Sequence, residues 1–251
     1  MNSLKTLSTQ LDEIELANID KLKEHPVIQN ITKLDTDQFN SVLLQRRFVS
    51  HAITNLYDFA IDSNISKDCK MILRRIQLEE YPEPSGNEQY PPSHREDLIH
   101  DLQLIGISLD QILQSRPSKT TKACVDYMLN KMLDYGSENS AIKTISYIRF
   151  AGEVIVAEEY KALWSRISKI LSDSGHNPKN ISRFFWPHII HDSRSSFSSE
   201  MKKSKTHSSY LGFFLSRLIN SDSDLGLFIS AEDDALRLKR LFYDQFITKL
   251  A

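Results

Sequence analysis

Only seven glycines occur in 251 residues, and nowhere does the chain show alternating Val/Ile/Thr runs joined by hairpin turns. A sheet protein needs such runs, and its tight turns recruit glycine. Apolar residues recur instead at the helical spacing of three and four. The segment TDQFNSVLLQRRFVSHAITNLYDFAI has a capping Thr or Asp at its start and apolar Leu44, Phe48, Ile53, Leu56 and Phe59 along it. SKDCKMILRRIQLEE puts Ile72, Ile76 and Glu79 on one stripe, and Pro82 and Pro84 close it, leading into the loop PEPSGNEQYPP. Ser93 caps the next helix, HREDLIHDLQLIGI, which ends near Gly106; Ser108 caps a short one before Pro117. TTKACVDYMLNKMLDYG is expected to stop at Gly136, and SAIKTISYIRFAGEVIVAEEYKALWSRISKILSDSG to run as one long helix to Gly175. A helix around SSYLGFFLSRLI and a last one capped by Ser230 complete the chain. The expectation is an all-α bundle of seven to eight helices, with residues 1–251 as one domain.

Charge narrows the function classes. The net charge is -2, and no Lys/Arg tract or basic stripe with interleaved aromatics occurs, so a nucleic-acid partner is not expected. The opening MNSLKTLSTQLDEIELANID lacks the basic start and apolar core of a signal peptide, and no apolar run reaches the length of a membrane span. A cytoplasmic protein without membrane contact is expected. Cys69 and Cys124 lie in helical patterns without metal-site spacing and read as buried thiols.

Polar residues in apolar surroundings mark the chemistry. In FFWPHIIHDSRSSF, the residues His188, Asp192 and Ser195 are spaced by four and three, which on a helix aligns them on one face. Imidazole with carboxylate is ligand chemistry for iron, manganese or zinc. Within VIVAEEYKALW either Glu158 or Glu159 must face inward with Val154 and Ala162, and an inward carboxylate needs a partner. Glu79 or Glu80 ends one helix, and His94 begins the helix after the proline loop. Helices that each bring a carboxylate or imidazole inward are how di-iron carboxylate sites are built. Ser195, His191 and Asp192 have the residue types of a hydrolytic triad, but neighbours on a helix project about 100° apart and cannot form its relay. The polar stretch SRSSFSSEMKKSK follows directly and is placed to cover a site there.

The order of these features, a helix-ending Glu, Ser93-His94 opening the next helix, G-x5-E from Gly152 to Glu158, and F-F-x-x-H-x3-D from Phe184 to Asp192, resembles the heme-oxygenase-like di-iron oxidases. The CADD-like subgroup is most similar, with relatives in thiaminase II (TenA) and pyrroloquinoline quinone synthase (PqqC). The resemblance spans nearly the whole chain, from HPVIQNITKLDTDQFNSVLLQRRFVSHA to LFYDQF. It implies a heme-oxygenase-like bundle with metal ligands at Glu79, His94, Glu158, His188 and Asp192, Glu80 being the alternative to Glu79. The family's pattern continues to a histidine where this chain has Ser195. That departure leaves open a single iron, a labile second iron, a ligand borrowed from His191 or His207, or a degenerate site. The helix bearing Phe48, His51 and Tyr57 would wall a substrate pocket, His51 being read alternatively as a core histidine. Implied are one or two Fe2+ per chain, dioxygen as co-substrate, and oxidation of a small amino acid, amine or carboxylate in specialised metabolism; a homodimer is compatible. The rival readings are a non-catalytic helical module and a metal-free hydrolase like thiaminase II with a nucleophilic cysteine.

Overall fold

The computed structural model describes residues 6–82, 91–198 and 206–249. Most of the loop after Pro82 and the last seven residues of the polar stretch lie outside the described residues. Among the described residues the regular structure is all helical. Helix α1 (Leu7–Lys23) is capped by Thr6, and α2 (Pro26–Gln29) opens with proline at its first position, where no amide donor is required. The long α3 (Thr36–Asp62) starts from a capping box between Asp35 and Gln38. Ser66, Ser93, Ser108 and Ser118 then cap α4 (Lys67–Glu80), α5 (His94–Leu104), α6 (Leu109–Gln114) and α7 (Lys119–Ser137).

Next come α8 (Ala141–Tyr147), a π-helical segment (Ile148–Val154) and α9 (Ile155–Asp173). The backbone stays in the right-handed region through both junctions, so these form one rod. The short α10 (Pro178–Ile181) and α11 (Phe185–His191) precede α12 (His207–Leu218) and α13 (Asp222–Asp244), with a 3-10 turn at Ile247–Lys249. The segments outnumber the seven or eight expected because short helices join the long ones.

Three boundaries differ from expectation for local reasons. Gly136 lies inside α7, and the left-handed residue that turns the chain is Asn139 (φ 56°). Ser221, not Ser230, caps α13, its hydroxyl accepting from the Asp224 amide. The rod through residues 141–173 contains a π segment where an uninterrupted α-helix was expected, and the extra residue shifts the phase of the side chains beyond it.

Helix α3 packs on α4 and α7, α13 on α7, α8 and α1, and α9 on α11. Leu56, Leu73, Met128, Tyr147, Leu163, Leu211 and Phe228, from seven of these helices, belong to one buried apolar cluster. No described helix is long and apolar enough to cross a membrane.

Candidate metal centre

Between α3, the π segment, α9 and α11 lies a pocket that is partly open to solvent. Its apolar wall includes Ile53, Ile76, Leu98 and Val156. Carboxylates and imidazoles enter it where regular helix is interrupted. Glu80 is the last residue of α4 and His94 the first of α5. His188 lies in α11, which ends at the capping residue Asp192. Glu153 comes from the π segment, and His207 opens α12.

These six side chains form two groups, Glu80–His94–His188 and Glu153–Asp192–His207; within each, one ligand atom per residue lies within 4.8 Å of the others. In the first, His94 Nδ1 is 3.2 Å from Glu80 Oε1, and the His94 and His188 rings stand edge to face at 4.6 Å. His188 Nδ1 donates to the Phe184 carbonyl at 2.7 Å, which leaves the lone pair on Nε2. Burial and the nearby His94 push the His188 imidazole down to about 3, so it is a neutral donor atom for a metal near neutral pH. At His94, burial would lower the imidazole, but Glu80 and then Glu79 outweigh it and the net shift is upward.

In the second group, His207 Nδ1 is 3.1 Å from Glu153 Oε2 and 3.6 Å from Asp192 Oδ1, while Nε2 lies 3.2 Å from Glu79 Oε1. Tyr57 donates to Glu153 Oε1 at 2.7 Å. Burial, and Glu153 beside it against the pull of His207, drive the Asp192 carboxyl well above its ordinary range. Burial alone would lower His207, yet the surrounding carboxylates raise it far above normal. Two buried carboxylates this close cannot both carry charge unless a positive charge lies between them; otherwise one keeps its proton, the direction in which Asp192 is shifted. Protonated His207 can supply that charge, and so can a metal ion. The donor set of three imidazoles and three carboxylates therefore fits iron, with nitrogen and oxygen ligands and open positions.

The expected ligands are placed unequally. His94, His188 and Asp192 converge on the pocket with Glu80, while Glu79 stands at its rim against His207. Glu158 lies outside both groups and pairs with Lys23 at 3.0 Å and Lys161 at 2.6 Å. The inward member of that glutamate pair is Glu159, fully buried against Arg46 and Lys239. Ser195 is not aligned with His188 and Asp192, because α11 ends at His191 and the chain turns away. Its amide donates to Ser208 Oγ at 3.1 Å, its hydroxyl meets Thr206 Oγ1 at 2.8 Å, and its carbonyl accepts from Arg149 Nη2 at 2.7 Å. Ser195 thus ties the exit of α11 to the start of α12, where His207 is.

His51 and Tyr57 line the pocket; Phe48 does not, and carries the Arg47 guanidinium 4.7 Å over its ring. Burial, with Arg47 and Arg95, pushes His51 down to about 4, so it is neutral. Cys69 and Cys124 are free, buried and absent from the pocket lining, and burial raises their thiols to about 12 and 11. A hydrolase needing a thiolate nucleophile has no candidate here.

Two residues were missed by reasoning from sequence. Glu153 is the carboxylate in the middle of the apolar run IRFAGEVIVA, a signal visible without the structure. Asp101 on α5 accepts from Ser182 Oγ (2.6 Å) and from the amides of Arg183 (2.8 Å), Phe184 (3.0 Å) and Phe185 (3.1 Å). It satisfies the otherwise unpaired donors at the start of α11 and so orients the helix that bears His188.

A helical bundle with this topology is a heme-oxygenase-like fold. It is shared with a TenA homologue from Pseudomonas syringae pv. tomato, at 12% identity over 96% of this chain and 92% of that one, TM-score 0.66. A heme-oxygenase-like domain from Shewanella denitrificans is 14% identical over 99% and 94% of the two chains, TM-score 0.65. A CADD-like protein from Nostoc punctiforme is 13% identical over 95% and 97%, TM-score 0.64. No family model and no curated protein matches the chain.

Proposed function

We propose that this chain is one heme-oxygenase-like domain that uses non-heme iron and dioxygen to oxidise a small metabolite, as an oxidase or oxygenase of specialised metabolism. The observation that carries the proposal is the pairing of Glu80–His94–His188 with Glu153–Asp192–His207 on the wall of one pocket. His207 takes the place that the family pattern gives to a histidine at position 195, so a two-metal donor set is complete without a ligand there.

Bound ferrous iron would supply the electrons that dioxygen needs and a Lewis acid beside the substrate. The protein's own groups do the rest. His188 is held in one tautomer by the Phe184 carbonyl, Tyr57 fixes one oxygen of Glu153, and the apolar wall limits water. Burial and Glu153 keep the Tyr57 phenol protonated and donating.

The test is anaerobic loading with ferrous iron followed by a pulse of dioxygen. Uptake of dioxygen in proportion to bound iron, lost in His188→Ala, is expected. Iron-loaded protein that takes up no more dioxygen than His188→Ala contradicts an oxidase.

A further inference from the structure

Two buried cations of the pocket, Arg46 and Lys239, have no part in the metal centre. Arg46 of α3 and Lys239 of α13 are 4% and 2% exposed and both line the cavity. Both donate to the same oxygen, Glu159 Oε2, at 3.0 and 2.6 Å. Arg46 Nη1 also donates to Ser50 Oγ at 2.8 Å, and Arg46 Nε is buried without a hydrogen-bond partner.

Of the other ionisable groups around the cluster, the phenols and the thiol stay protonated, and the charged ones have partners of their own. Tyr160 and Cys124 are pushed up to about 12 and 11 by burial, and Tyr243 is raised as well. Asp244 is half exposed and pairs with His25 at 3.0 Å. Arg95, also on the lining, is engaged by the His51 carbonyl at 3.1 Å. Two positive charges therefore share one negative charge inside the protein, where a surplus charge is costly unless an anion joins it. Burial and Arg46 pull the Lys239 ammonium down to about 8, against the support of Glu159.

The cavity offers that anion a place in register with the metal groups. The Arg46 guanidinium lies 5.2 Å over the Tyr160 ring, and the same ring meets His188 edge to face at 5.8 Å. We propose that Arg46 and Lys239 are the anion-binding end of the pocket, and that the substrate is a small carboxylate whose carboxyl group is held there while the rest of the molecule extends past Tyr160 to the metal groups. The direction of that extension rests on the oxidase reading. Carboxylate capture by Arg46 and Lys239 does not.

The test uses the full-length protein with metal removed by chelator, so that no carboxylate can bind through iron. Acetate, hexanoate, benzoate and succinate are titrated calorimetrically beside their amides. At least one carboxylate should bind ten-fold or more tightly than its amide. Lys239→Met, which leaves Arg46 and Glu159 as a balanced pair, should weaken it at least ten-fold. Glu159→Gln, which enlarges the positive surplus, should tighten it, and decides the matter if Lys239→Met does not fold. Equal binding of acid and amide, no binding of any of the four acids, unchanged affinity in folded Lys239→Met, or no tightening in Glu159→Gln overturns the proposal. Iron content measured on the same wild-type protein before chelation separates the two readings: carboxylate binding without iron binding removes the oxidase, and iron binding without carboxylate binding removes this site alone.

Discussion

Ser195 shows how a single side chain can mislead when the backbone around it is unknown. On a continued helix it would face the metal as a poor ligand, a hydroxyl where an imidazole belongs. In the structure it is 9% exposed and bonded to Thr206, Ser208 and Arg149, and His207 reaches the carboxylates instead. Ser195→His should therefore not complete a site. The ring would be forced into a packed hydrogen-bonded corner, at a cost of about 1–3 kcal/mol. Urea unfolding should show that loss together with no gain in iron, whereas a stable variant with more iron would return Ser195 to the ligand set. The convergence of His94, His188 and Asp192 was legible because their order in the chain survives any local irregularity. Glu153 is marked in the sequence by its apolar surroundings, but the phase that aims it at the pocket, like the turn that places His207, is not revealed by the residues alone.

At the scale of elements, the caps Ser93 and Ser108 made the starts of α5 and α6 readable to the residue, because a cap is a local bond between neighbours; α3 is capped one residue earlier than its segment suggested, by Asp35. The π segment was not readable. It arises within a run of seven buried residues, and the widened turn is settled by packing against α12, α13 and α3. The helical spacing left Glu158 and Glu159 open and the family resemblance implied Glu158, which faces Lys23 and Lys161 instead of the pocket. Helix α11 is a second case. Pro187 falls in its first turn, where the missing amide breaks no internal bond, and Asp101 takes up the donors before it. Asp101→Ala would strand those buried amides at a cost of about 1–3 kcal/mol and release the helix that holds His188. Lower stability in urea and weaker iron binding should appear together, with Asp101→Asn intermediate. Full stability in Asp101→Ala would show that α11 is held by its apolar contacts alone.

At the scale of the whole molecule, helical periodicity and the lack of strand signals were enough for the fold class, because burial of an apolar stripe decides helix packing. The site needed more, since its six side chains come from α4, α5, the π segment, α11 and α12, and its charge balance exists only once these meet. If the two adjacent groups each hold an iron, elemental analysis after anaerobic ferrous loading and desalting will count both. The expected result is two irons per wild-type chain, a lower content in both His188→Ala and His207→Ala, and unchanged content in Glu158→Ala, because Glu158 belongs to neither group. Iron lost on changing Glu158 but kept on changing His207, or no iron bound by the wild type, would contradict it.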